Sequence, residues 1–269
     1  SIYFLSVFIV VIVEQIYLIL EDILIAEFDS AAALEVYSVG MSFHKYFMKF
    51  STTISKVMAP RFFLRIDSGA DKNKVTEMLI KVSRIQAIPI LLVLSGLIVY
   101  GKEFIHLWVG ESYDAAYYIM LVTLIPYSFE LVGNLRNVIL QARGLYMKRS
   151  ILYLITSLIN VVLTIWWLKV FGIVGAAAAT GFGVMLGYIG VTVILKRDGI
   201  VDNRRYLKET YLRYVLPFII SIAFGMVLKY VIGCNTWFTF VVNVLAYTIV
   251  YAVLAFLIGL KKEEKQYFM

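Results

Sequence analysis

The stretch SILYLITSLINVVLTIWWLKVFGIVGAAAATGFGVMLGYIGVTVILK, residues 150–196, holds a single charged side chain, Lys169, between Ser150 and Leu195. Crossing about 30 Å of hydrocarbon takes about 20 helical residues. The segment is therefore long enough for two membrane-crossing helices, 150–170 and 173–196. The second of these, with Gly172 just before it, is rich in small residues, among them Gly175, Gly181, Gly183, Gly187 and Gly190. Its Gly183-x-x-x-Gly187 spacing permits close helix approach.

Outward from this pair, further spans fall near 1–26, 35–59, 76–100, 115–142, 212–233 and 236–260, eight in all. The fold class expected is an all-α polytopic membrane protein. Composition agrees: 61% of residues are hydrophobic, 16% are charged and mean hydropathy is +0.85. Soluble domains average roughly 25% charged residues.

The net charge of +7 is sorted by side rather than gathered on one face. Of 25 Lys and Arg residues, 18 fall in alternate connections: Arg61 to Arg84, Arg143 to Arg149, Lys196 to Arg213, and Lys261 to Lys265. The other connections hold Lys102 and Lys169 and are acidic at Glu27, Asp29, Glu35, Glu103, Glu111 and Asp114. By the positive-inside rule the basic side is cytoplasmic, and both termini of the chain face it. Trp108, Trp166, Trp167 and Trp237 then fall at the outer boundary, where headgroups favour indole rings. This distribution argues for membrane lipid and against nucleic acid as a partner.

Several chemistries are excluded. Cys234 is alone, His44 and His106 share no metal-ligand spacing, and Gly101-Lys102 runs into Glu103 without the glycine of a phosphate loop. No cofactor, metal or catalytic constellation is expected. The apolar start at Ser1 lacks the charged region and cleavage site of a signal peptide. The missing initiator Met suggests either a start inside a longer protein or removal by processing.

Loop signals concentrate in Asp67-Ser68-Gly69-Ala70-Asp71, within a long basic connection from Arg61 to Val75. It leads into a half-amphipathic helix start, 76–85, suited either to the headgroup zone or to a helix end in water. Pro60 reads as a helix-end signal, whereas Pro89, Pro126 and Pro217 lie within spans and bend them.

Ionisable groups inside the spans carry the functional information, because each costs about 2.5–3.5 kcal/mol at bilayer mid-depth unless it is paired or hydrated. At 100° per residue, Glu14 and Glu21 share one face of the first helix, with Gln15 and Asp22 on a neighbouring stripe. Such carboxylates suit a coupling cation or a proton; Glu21 and Asp22 also suit simple hydration at the interface. On the second helix Ser38, Lys45, Lys49, Thr52 and Lys56 share a face. Lys45 and Lys49 read as a cationic wall for an anionic group, or as partners for neighbouring carboxylates. On the fourth, Glu130, Asn134, Asn137 and Gln141 form a stripe for sugar hydroxyls or interhelical bonds, with Arg136 pointing elsewhere.

Three segments carry a family likeness: Trp108-Val109-Gly110-Glu111-Ser112-Tyr113-Asp114-Ala115-Ala116, Leu140-Gln141-Ala142-Arg143-Gly144-Leu145-Tyr146-Met147-Lys148, and Asn160 followed by Phe171-Gly172-Ile173-Val174-Gly175-Ala176-Ala177-Ala178-Ala179-Thr180. In order and spacing they resemble the C-terminal half of bacterial polysaccharide flippases, the O-antigen and capsule repeat-unit transporters of the multidrug/oligosaccharidyl-lipid/polysaccharide superfamily. The resemblance implies a six-helix transporter lobe over residues 1–196. Residues 197–269 would then supply a cytoplasmic linker, two accessory helices and a basic tail. It also implies alternating access, a lipid-linked oligosaccharide as cargo, and a missing N-terminal lobe as partner.

The expected function is translocation of a polyprenyl-pyrophosphate-linked oligosaccharide across the cytoplasmic membrane. Lys45, Lys49, Glu130 and Asn134 would contact substrate, while Glu14, Glu21 and Asp22 would serve the coupling ion. A drug or metabolite exporter would favour an acidic or aromatic cavity, and a polymerase or acyltransferase would need a catalytic loop. Neither feature stands out, so a transporter rather than an enzyme is expected.

Overall fold

A computed structural model describes Phe8, residues 21–67, Gly69 and residues 71–260. Glu14 and the terminal Lys261, Lys262 and Lys265 lie outside the described residues. Among the described residues every regular element is helical. Residues 21–28 are helical. Then come α1 (Ala31–Asp67), α2 (Lys72–Val109), α3 (Asp114–Val132), α4 (Leu135–Ala142), α5 (Tyr146–Asp198), α6 (Asn203–Ile232) and α7 (Trp237–Leu254). A 3₁₀ turn, Glu111–Tyr113, precedes α3, and a π-helical turn, Ala255–Gly259, extends α7.

Among the described residues five helical stretches are long and apolar enough to cross a membrane: Lys72–Val109, Glu111–Val132, Tyr146–Asp198, Asn203–Ile232 and Trp237–Gly259. The chain is an all-α polytopic membrane protein. The sequence reading gave eight spans, and three features account for the difference. The first span lies mostly outside the described residues, and α1 is long enough but interrupted by Glu35, Lys45, Lys49, Lys56, Arg61 and Arg65. Two further spans are joined within α5.

Gly172 makes that join. Its φ of 63° and ψ of −156° occupy a region open essentially to glycine alone, and there the chain folds back on itself. A Cβ on Gly175 would stand 2.3 Å from the Trp167 carbonyl, one on Gly183 3.1 Å from Asn160 Nδ2, and one on Gly190 2.5 Å from Leu152 Cδ2. In a straight helix Leu152 and Gly190 would be about 57 Å apart at 1.5 Å per residue. The contacts are those of an antiparallel hairpin whose arms, 146–171 and 173–198, match the two spans read from sequence. Gly175, Gly183 and Gly190 make its seam, while Gly187 has open space beside it.

Pro60 does not end α1, and the basic connection is much shorter than Arg61 to Val75. The missing N–H costs a helical hydrogen bond. Beyond it, however, Phe62 and Ile66 are buried against Val75, Leu79 and Val82 of α2, and that burial carries the helix on to Asp67. Asp71 then caps α2, its carboxylate accepting from Lys74 N at 2.9 Å.

The core centres on α2. Its middle, Ala87 to Tyr100, packs with Met120 and Leu124 of α3, Tyr214 of α6, and Tyr247 and Tyr251 of α7. Arg84, counted above with the basic connections, is 1% exposed. It donates to the Glu209 carbonyl at 2.9 Å and the Glu209 carboxylate at 3.2 Å, fastening α6 to α2. At the other end Lys229 of α6 pairs with Glu103 and donates to the Val99 carbonyl at 3.1 Å. Phe104, Trp108, Trp237 and Phe240 cluster near that end.

Candidate functional site

A cavity of about 350 Å³ opens between α1, α3, α4 and both arms of α5. Each wall follows from local chain chemistry. α1 buries Tyr37, Gly40, Met41, Phe47 and Ser51, a helical stripe that brings His44, Met48 and Thr52 to the cavity. Gly40 allows the close approach of α3: a Cβ there would lie 2.6 Å from Ile119 Cγ2 and 2.9 Å from the Ala116 carbonyl.

The opposite wall is made where the helix breaks. α3 ends at Val132 and α4 begins at Leu135, with Gly133 and Asn134 in a turn between them. Arg136, expected to point away from the Glu130 stripe, lines the cavity beside Glu130, Asn134 and Asn137 because its side chain turns back across the break, and Gln141 does not. The guanidinium folds back over Gly133, its Nε donating to the Gly133 carbonyl at 3.2 Å. Nη1 donates to Thr192 Oγ1 at 2.8 Å, and the group lies 3.9 Å from the ring centroid of Tyr188.

The first arm of α5 adds a second cation. Arg149 donates to the Tyr146 hydroxyl at 2.9 Å and lies 5.2 Å and 5.3 Å from the rings of Tyr146 and Tyr153. Arg136 is 3% and Arg149 9% exposed, yet both line the cavity. Desolvating a charge this far requires compensating partners, and here aromatic faces and hydroxyls provide them. Asn160 extends the polar lining, its Oδ1 accepting from Thr164 at 3.0 Å. His44 lies 3.8 Å from the Tyr127 ring, and its buried Nε2 has no hydrogen-bond partner. The lining can therefore offer guanidinium forks, an imidazole, amides and aromatic faces to a polar anion.

Thr180 belongs to two sites at once. It lines the cavity, and its hydroxyl donates to the carboxylate of Glu21. Glu21 also accepts from the Tyr37 hydroxyl at 2.9 Å and is 3% exposed, so one cavity wall separates it from the lumen. Asp22, its neighbour in sequence, is exposed.

The lysines of the sequence reading take a different position. Lys45 and Lys49 stand exposed on α1 and are not among the lining residues, although Met48 and Thr52 of the same helix are. Lys49 lies 6.0 Å from the Tyr46 ring. Periodicity placed them correctly on one stripe, but α1 buries the adjacent one. Of the expected substrate contacts the cavity brings together Glu130 and Asn134, and it adds Arg136, Arg149 and His44. An arginine inside the Asn134-x-x-Asn137 pair, three residues after Gly133, was the available signal. Among the described residues no group of His, Cys, Asp and Glu could hold a metal ion.

Residues 3–118 match a protein family described as "Polysaccharide biosynthesis protein". No curated protein matches the chain significantly. The matched segment contains the helical residues 21–28, α1, α2 and the start of α3.

Proposed function

We propose, with the similarity to polysaccharide biosynthesis proteins as premise, that this multi-pass membrane protein flips a polyprenyl-pyrophosphate-linked oligosaccharide from the cytoplasmic to the outer leaflet. The observation that carries the reading is the pair of arginines, Arg136 and Arg149, lining a polar cavity within an apolar helical bundle. Guanidinium forks match phosphate oxygens, while Asn134, Asn137 and the tyrosine faces suit sugar. The polyprenyl tail stays in lipid, since each CH₂ kept out of water is worth about 0.8 kcal/mol. A cavity lined by two arginines disfavours cationic drugs.

Lys45 and Lys49 sit near the middle of α1 at exposed positions. Against acyl chains each would cost about 2.5–3.5 kcal/mol. In this proposal that face meets a hydrated chamber shared with a second lobe, as the flippase resemblance implies, and the lysines guide the pyrophosphate towards the arginines. Glu21, joined to the lumen through Thr180, is the residue proposed to couple the cycle to a cation; Glu14 and Asp22 are secondary candidates. The basic connections face the cytoplasm.

The test is flipping of a fluorescent short-chain polyprenyl-pyrophosphate oligosaccharide by the full-length protein in proteoliposomes. Arg136→Gln combined with Arg149→Gln is expected to cut the rate by at least about tenfold, as loss of charge-assisted bonds would, with normal insertion. An unchanged rate would overturn the assignment.

A further inference from the structure

The cavity's deepest cation is held from outside the walls that enclose it. Thr192 Oγ1, which accepts from Arg136, belongs to α5, but the Thr192 carbonyl accepts from Asn203 Nδ2 of α6 at 2.8 Å. Tyr206 of α6 brings its ring to 5.9 Å from the guanidinium and its hydroxyl to 3.3 Å from Ser83 Oγ. Tyr211, also on α6, donates from its hydroxyl to the Phe129 carbonyl at 3.1 Å. The Tyr211 hydroxyl in turn accepts at 3.3 Å from the hydroxyl of Tyr188, the residue whose ring lies 3.9 Å from Arg136. Three side chains of one helix thus converge on Arg136 either directly or through one intermediate.

We propose that α6, the first helix beyond the six-helix lobe, is part of the binding machinery, with Tyr211 and Tyr206 as positioning residues. They hold Tyr188 and the Arg136 guanidinium in one orientation for the anionic group of the cargo. The inference rests on the reading of Arg136 as an anion contact. A guanidinium in a low-dielectric wall binds best when its direction is fixed beforehand, because reorienting it on binding consumes affinity. Aromatic faces fix the plane of the group without neutralising its charge. A carboxylate in their place would compete with the cargo.

Packing alone would also explain aromatic residues here, since Tyr211 lies 5.4 Å from Phe129 and 6.2 Å from Tyr206, ring to ring. Tyr211→Phe separates the two roles: it keeps those ring contacts and removes only the hydroxyl that anchors Tyr188. Binding of inorganic pyrophosphate to the full chain in nanodiscs, followed by calorimetry, is the measurement. Arg136→Gln should weaken binding by about tenfold or more. Tyr211→Phe should weaken it by about threefold to tenfold with an unchanged melting temperature, and should add nothing in the Arg136→Gln background.

Tyr188→Phe removes the same hydrogen bond from its other end and should reproduce the loss, which keeps the test intact if Tyr211→Phe fails to fold. Tyr230→Phe, at an exposed position of the same helix, should leave affinity unchanged. Wild-type protein that ignores pyrophosphate, or binds it equally well with Arg136→Gln, overturns the functional reading and this inference together. Sensitivity to Arg136→Gln with full affinity in Tyr211→Phe and Tyr188→Phe, or additive losses in the double variant, overturns the positioning role alone.

Discussion

Arg136 owes its direction to the residue three before it. A Cβ on Gly133 would lie 2.7 Å from Arg136 Nε, so the guanidinium can fold over the helix break only because no side chain is there. Gly133 has a φ of −93°, which any residue adopts, and the obstructed atom is the far end of a flexible side chain. Gly133→Ala should therefore change thermal stability by less than about 1 kcal/mol while weakening pyrophosphate binding several-fold; full binding would show that the fold-back geometry is dispensable. The same scale separates Glu21 from Asp22. Adjacent carboxylates on a helix point about 100° apart, and the packing of α1 and α5 encloses one while leaving the other exposed.

Among the helices, the α5 hairpin shows how one residue sets the path of more than fifty. Gly172 has open space where a Cβ would go, so its requirement is conformational rather than steric. Gly172→Ala should destabilise the protein by about 1–3 kcal/mol, the usual cost of a non-glycine residue in that region. Gly187→Ala, in regular helix with nothing near, should be neutral or stabilising by up to about 1 kcal/mol. Graded denaturation in SDS on the two variants checks this, and equal stabilities would remove Gly172 as the determinant of the turn. Pro60 illustrates the opposite balance: a local stop signal is overridden where Phe62 and Ile66 gain a buried surface on α2.

At the scale of the whole molecule, α6 is fastened to α2 by a buried cation. Arg84 and Glu209 form a pair in which Glu209 keeps 27% side-chain exposure. Glu209→Ala should cost about 2 kcal/mol, below the 3–5 kcal/mol of fully buried pairs, and should raise hydrogen exchange across α6 before α2. Stability and exchange both unchanged would leave the docking of α6 to the aromatic core alone. Composition, hydropathy and charge alternation were sufficient for the all-α membrane class and for the two arms of α5, because the bilayer requires long apolar helices and sorts basic residues by side. Periodicity also found the polar stripes, including Glu130 and Asn134. It could not find the cavity-facing side of α1, the fold-back of Arg136 over Gly133, or the contacts of Tyr206 and Tyr211 with residues of the cavity wall. Helical spacing determines which residues share a face. Which face is buried, and against what, depends on neighbours distant in the chain, and only the tertiary structure decides that.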